Sequence, residues 1–190
     1  DSVAQLSPFD VPVSSPTVGD YGIVPLLGLS LTVDRRDDRF NPRKGIYAAL
    51  GFDSTPGKVD ESAPAFGRAT TRLVGLIPLG KDFGLQLEAG GGLGWGYDGE
   101  PPPVEWRFRL GGTGTLRGFA LDSVGPWGTR PGALEESGLL HGELPERRVV
   151  VGGNAFYRYA VELQLPIPSL ENWRFVVFHD GGSALMYGEV

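Results

Sequence analysis

The feature that most constrains the fold is a run of fifteen residues, 83–97, whose positions alternate between two kinds of side chain without a break. One set is largely apolar: Phe83, Leu85, Leu87, Ala89, Gly91, Leu93, Trp95 and Tyr97. The other set is Gly84, Gln86, Glu88, Gly90, Gly92, Gly94 and Gly96. Period two predicts a strand with one apolar and one polar face. Soluble strands most often have about 5–6 residues, so this length predicts a strand that crosses a membrane, which needs about 9–11.

Five further segments alternate in the same way, so the sequence predicts an all-β chain of about six antiparallel strands. They lie at about 27–34, 46–53, 66–79, 156–165 and 173–180. The connections are short at 41–45, 80–82 and 166–172, and long at 54–65 and 98–152. Short turns on one side and long loops on the other are typical of outer-membrane β-barrels, as are aromatic residues such as Trp95 and Tyr97 at strand ends.

Composition excludes several classes of protein. The chain has 190 residues, a formal net charge of −6, no Cys and 30 Gly. An acidic chain without a basic face does not favour nucleic acid as a partner, and the absence of Cys excludes a disulfide scaffold or thiolate metal site. The longest apolar run, 23–31, is shorter than the roughly 20 residues of a membrane helix. Neither His141 nor His179 has neighbours that indicate a catalytic or metal site, and we expect no cofactor and no enzyme activity.

The predicted organisation is a lead-in loop or partial strand at 1–26, followed by a barrel segment at 27–190. The long loop at about 98–152 carries a glycine-rich stretch, 111–119, with one cation, Arg117. Glycines let the backbone turn freely, and we expect the neighbouring Phe119 to act as an aromatic anchor. This composition predicts a loop tip that docks against another part of the chain.

Four motifs in register resemble the BamA/TamA superfamily of outer-membrane assembly and translocation proteins, the bacterial surface antigen family. The tip Leu116-Arg117-Gly118-Phe119 resembles the conserved tip of that family's sixth extracellular loop. Phe178-His179-Asp180-Gly181-Gly182 matches its Phe-x-Asp-x-Gly pattern. The family's strand–turn signature is resembled by Asp34, Arg36, Asp37, Pro42 and Gly45 of this chain. The family's strand after the sixth loop is resembled by Gly152-Gly153, followed by Glu162 and Pro166.

The resemblance implies that the loop tip folds into the barrel lumen, where inward-facing carboxylates hold its arginine. Strand parity by itself places Glu162, Phe178 and Asp180 on one polar face. We therefore expect Arg117 to pair with the carboxylates of Glu162 and Asp180, with Phe178 and Gly182 beside them. A guanidinium group, with its planar fork of donors, suits carboxylates better than an ammonium group does.

The resemblance also implies a bacterial or organellar outer-membrane location, with lipids, unfolded client polypeptides and accessory lipoproteins as partners. Family barrels have sixteen strands and follow periplasmic POTRA domains. Six strands are fewer than the 8 of the smallest single-chain barrels, so the chain is expected to be a segment of a larger barrel.

Three alternatives stay open at the level of sequence. The segment could belong to the barrel domain of a patatin-like phospholipase, which a Gly-x-Ser-x-Gly motif in another domain would identify. It could belong to a two-partner secretion transporter. A soluble β-sandwich binding module would explain the alternation, but not the strand length, the glycine-rich polar face or the unequal loops.

Overall fold

The computed structural model describes residues 24–57, 63–80, 82–129, 148–167 and 173–187. Most of the predicted lead-in and the middle of the long loop, including His141, lie outside these residues. The described elements are β1 (Leu27–Asp34), β2 (Gly45–Ser54), β3 (Phe66–Pro78), β4 (Gly84–Gly96), a 3-10 helix (Val104–Trp106), β5 (Trp127–Thr129), β6 (Arg148–Val150), β7 (Ala155–Pro166) and β8 (Arg174–Leu185). None of the helical structure in the described ranges is long and apolar enough to cross a membrane.

Six strands form one sheet in the order β1-β2-β3-β4-β7-β8, and every neighbouring pair is antiparallel. This confirms the predicted fold class, an antiparallel barrel segment of about six strands. Strands β1 and β8 are the two edges and do not pair with each other, so the described sheet is open. The long loop leaves from β4 and returns to its neighbour β7, and inside it β5 and β6 form a small two-stranded sheet.

The observed strands differ from the predicted ones mainly at β8, which continues five residues past Asp180. The sequence alternation weakens there because Gly181 and Gly182 carry no side chain to mark a face. They remain in the ladder, where Gly181 pairs with Tyr159 and Gly182 with Arg158. A Cβ on Gly181 would meet the Tyr159 ring at 2.5 Å, so the glycine gives this ring its space.

The two faces of the sheet have opposite character. Large apolar side chains cover one face and are exposed; Leu29, for example, is 73% exposed. Exposed apolar side chains over a whole sheet face would be an aggregation hazard in water, but they are the normal lining of a membrane barrel toward lipid. The other face carries the charged residues of β3, β4, β7 and β8.

The long loop packs on the polar face. Trp106 lies against Phe66 of β3 with ring centroids 5.0 Å apart, and Phe108 lies against Phe156 of β7 at 4.7 Å. The loop also has its own buried residues, Leu110 and Val151. The predicted loop is therefore not a free segment, because its apolar side chains form a core between it and the sheet.

Glycines on the polar face of β4 make room for this core. A Cβ on Gly92 would lie 2.5 Å from the Phe156 ring and 3.0 Å from that of Phe108. A Cβ on Gly94 would lie 3.0 Å from Pro102 of the loop. The glycine stripe seen in the sequence thus provides close approach between strand and loop.

We expect Gly92→Ala to destabilise the protein by about 1–3 kcal/mol, because the added methyl group overpacks the two phenylalanine rings. The measurement is the free energy of unfolding of the full-length protein in detergent micelles, from urea titration. Gly75→Ala is the matched control, since a Cβ on Gly75 of β3 would have no atom within 4 Å. Equal stability of the two variants would contradict this account of the stripe.

Candidate functional site: the docked loop tip

The loop tip is a compact turn closed by its own hydrogen bonds. The N–H of Leu116 donates to the carbonyl of Gly112 at 3.1 Å, and the Thr115 hydroxyl donates to the carbonyl of Gly111 at 2.7 Å. Gly112 and Gly118 have φ values of +83° and +88°, which other residues rarely adopt. The glycines of the tip are therefore required by its backbone, and they fix the direction in which Arg117 leaves it.

Arg117 forms a forked ion pair with Asp180 of β8. Its Nε donates to Oδ2 at 2.7 Å and its NH2 to Oδ1 at 2.6 Å, while its backbone N–H also donates to Oδ2 at 3.1 Å. The Asp180 side chain is only 6% exposed. This geometry matches the planar fork of a guanidinium to both oxygens of one carboxylate, which is the strong form of such a pair.

Two further groups complete the contacts of Arg117. Its NH1 lies 2.7 Å from Oε1 of Glu162 on β7. Its guanidinium carbon lies 3.6 Å from the centroid of the Phe178 ring on β8, which is a cation–π contact. Glu162 and Phe178 are directly paired across β7 and β8, and Asp180 lies two positions further on the same face. The register thus brings together three side chains that meet one cation from the loop.

The remaining predicted residues of the tip have other surroundings. Leu116 is buried, at 2% exposure, whereas Phe119 is 56% exposed. The expectation that Phe119 anchors the tip is therefore wrong: the apolar anchor is Leu116, and the aromatic ring against the cation is Phe178 from the sheet. Gly182 faces Arg158, where a Cβ would meet the Arg158 Cα at 2.9 Å, so it provides close approach between β7 and β8.

A second ion-pair group lies beside the first. Glu88 of β4 pairs with Arg72 of β3 at 2.8 Å and with Arg158 of β7, and its side chain is 8% exposed. Glu88 and Asp180 both flank Ala160 in the strand register. Alternation along β3, β4 and β7 places these charges on one face, but it does not pair them, because diagonal contacts between strands depend on the register. Together the two groups hold three carboxylates and three guanidinium groups, so their formal charges balance.

The turn between β1 and β2 contains the other predicted signature. Asp34 and Arg36 form a two-pronged ion pair at 2.8 and 2.7 Å. Asp37 Oδ1 accepts the backbone N–H groups of Arg43 and Lys44 at 2.9 and 3.1 Å. Pro42 is half-buried in this turn. Gly45 has φ +115° and lies directly against the carbonyl of Arg35, so it accepts no side chain.

His179 lies apart from these groups, and His141 is outside the residues that the structure describes. His179 is on the exposed apolar face, where its Nε2 lies 3.1 Å from the Tyr159 hydroxyl. Across the ranges that the structure describes, no three His, Cys, Asp or Glu side chains gather as metal ligands.

Comparison with known proteins identifies a family and solved structures of similar fold. Residues 25–189 match the Omp85 superfamily domain. The fold is similar to the crystal structure of BamA from Haemophilus ducreyi lacking POTRA domains 1-3, with a TM-score of 0.68 and 23% sequence identity. The likeness covers 85% of this chain and 30% of that chain, so this chain spans about a third of the length of that structure.

Arg117→Lys is expected to destabilise the protein by about 1–3 kcal/mol, because one ammonium group cannot serve both Asp180 oxygens and Glu162 together. The measurement is the free energy of unfolding of the full-length protein, together with cleavage of the loop by proteinase K. Arg39→Lys changes an exposed arginine of the β1–β2 turn and serves as the control. If Arg117→Lys unfolds like the wild type and its loop is cleaved no faster, the ion pairs contribute nothing to docking.

The pH dependence of stability tests the turn. The backbone N–H groups of Arg43 and Lys44 lower the pKa of Asp37. A carboxyl group with a lowered folded pKa stabilises the fold above its unfolded pKa of about 3.9, and this contribution is lost as pH falls through the folded value. Between pH of about 5 and about 3, wild-type stability should therefore fall more steeply than that of Asp37→Asn. Parallel stability curves for the two proteins would refute this role of Asp37.

Proposed function

The chain belongs to the Omp85 superfamily, and from this premise we propose that it forms part of an outer-membrane β-barrel that inserts outer-membrane proteins or moves polypeptides across the outer membrane. The exposed apolar face supports contact with outer-membrane lipids. Unfolded outer-membrane or secreted polypeptides are the proposed clients, and accessory lipoproteins are proposed partners of the intact protein. We assign no bond-making or bond-breaking chemistry to this segment.

The observation that carries the proposal is the contact of one loop cation with carboxylates on two neighbouring strands. Arg117 reaches Asp180 on β8 and Glu162 on β7 from a loop that leaves the sheet after β4. A buried ion pair is weak evidence for stability, because desolvation offsets much of the attraction. It is better suited to select one arrangement among several, so we propose that Arg117 braces the barrel wall in one shape.

Charge balance explains why loop and wall should act together. With the loop docked, three carboxylates face three guanidinium groups. If the loop left, Asp180 and Glu162 would lose their cation while remaining close to each other on a half-buried face. Uncompensated buried charge is costly, so departure of the tip would favour a shift of β7 against β8. The position of the tip would then be coupled to the shape of the wall through which clients pass.

Asp180→Asn tests this coupling because it keeps the side-chain shape and removes the charge. We expect the rate at which the full-length protein inserts a small client barrel into liposomes to fall about tenfold, equivalent to ~1.4 kcal/mol in the rate-limiting step. Insertion is measured by protease protection and by heat-modifiable gel mobility of the client. Asp34→Asn is the matched control, since it breaks the two-pronged ion pair with Arg36 in the β1–β2 turn and not a contact of the long loop.

Two outcomes would count against the proposal at different levels. If Asp180→Asn releases the loop to proteinase K but inserts clients at the wild-type rate, the tip does not control the wall. If the wild-type protein inserts no client and transports no polypeptide, the assembly or translocation function itself is wrong.

A further inference from the structure

A pocket lies at the short-turn end of the sheet, next to the docked tip, since its wall residue Gln164 is two positions beyond Glu162 on the same face of β7. It is a partly open cleft with about 290 Å³ of empty space that extends into solvent, and its wall includes Arg43, Pro78, Asp82, Phe83, Gln164 and Arg174. These residues come from the β1–β2 turn, the β3–β4 turn and the adjoining ends of β7 and β8. Strand parity puts Gln164 and Arg174 on the polar face of the sheet. Gln164 and Arg174 therefore line the pocket from the lumen side of the wall, whereas Phe83 lies in the turn at its rim.

Arg174 has an unused donor group in this pocket. Its NH1 donates to Oε1 of Gln164 at 2.6 Å. Its NH2 is buried and has no hydrogen-bond partner among the residues that the structure describes. A buried guanidinium nitrogen without an acceptor is unfavourable and unusual in native proteins, so this nitrogen indicates a place for an acceptor from outside the described chain.

Arg43 provides a second cation, and the turn determines where it lies. Asp37 accepts the backbone N–H of Arg43, which holds the base of this side chain at the pocket wall. Among the described residues of its wall, the pocket thus has two guanidinium groups and one carboxylate, Asp82, which leaves one of their formal positive charges uncompensated. This excess suits one singly charged anion better than a doubly charged phosphate.

We propose that this pocket binds the carboxylate of a polypeptide segment that lies across the short-turn mouth of the barrel. The carboxylate would accept from Arg174 NH2 and from the Arg43 guanidinium, the geometry for which guanidinium groups are best suited. Pro78 and Phe83 provide apolar surface for the neighbouring part of the same segment. Lipid phosphates are disfavoured because Gln164 and Arg174, the strand residues of the pocket, lie on the polar face of the sheet, opposite the exposed apolar side chains of the strands.

Disulfide tethering can measure whether the pocket prefers a carboxylate, even if a single carboxylate binds weakly. The 190-residue chain has no cysteine, and Phe83 is about half exposed at the pocket, so Phe83→Cys offers one attachment point once any other cysteine of the full-length protein is replaced by serine. The variant is equilibrated in detergent micelles and thiol–disulfide buffer with equal amounts of the amidated peptides Cys-Gly-Glu and Cys-Gly-Gln. Mass spectrometry gives the ratio of the two mixed disulfides.

The glutamate peptide is expected to predominate by about fivefold or more. The ratio should fall to about one when Arg174→Gln is added and should not change when Arg39→Gln is added, which removes an arginine of the same turn outside the pocket wall. Heat-modifiable gel mobility verifies that each variant is folded. If Arg174→Gln does not fold, Arg43→Gln replaces it and should also lower the ratio.

Two results would overturn the proposal. One is an equal yield of both peptides in the Phe83→Cys protein. The other is preferential capture of the phosphoserine peptide Cys-Gly-pSer over the glutamate peptide, with loss of glutamate selectivity in inorganic phosphate, which would identify a phosphate site. The assay measures binding alone, so its outcome is independent of whether the protein inserts clients.

Discussion

The ion pair between Arg117 and Asp180 is the interaction on which the arrangement of loop and sheet depends. It joins a loop residue to a strand residue 63 positions later, and the same cation reaches Glu162 on the adjacent strand. The aromatic face of Phe178 covers the guanidinium at 3.6 Å. The side chains of Asp180 and Glu162 are only 6% and 16% exposed, and the docked tip brings Arg117 to both, so the proposed coupling of loop position to wall structure rests on this contact.

The distribution of apolar residues explains why the loop lies where it does. One face of the sheet presents exposed leucine, valine and aromatic side chains, which require lipid. On the opposite face, two kinds of contact bury side chains. Charged groups neutralise each other in ion pairs, and loop aromatics fill the space left by glycines of β4. The sheet therefore has no conventional two-layer core, and the loop acts as its second layer.

The two ends of the sheet are organised by different means. At the loop end, apolar contacts such as Phe66 with Trp106 dominate. At the short-turn end, carboxylates satisfy backbone N–H groups, as Asp37 does for Arg43 and Lys44. Each end also keeps one buried guanidinium nitrogen without an acceptor among the described residues: Arg68 Nε near the loop and Arg174 NH2 near the short turns.

The sequence by itself determined the strands and their two faces, and the resemblance of its motifs to the BamA/TamA superfamily indicated the main ion pair. Period-two alternation is a local property, so it located all six long strands, and parity placed Glu162, Phe178 and Asp180 together before any contact was known. Register, loop packing and donor satisfaction are not local, and only the tertiary structure decided them. It replaced Phe119 with Leu116 as the buried residue of the tip, paired Glu88 with Arg72 and Arg158, and revealed the unpaired nitrogen of Arg174. The physical reason is that these contacts depend on which atoms of distant segments come within hydrogen-bond or van der Waals distance, which alternation along one strand does not encode.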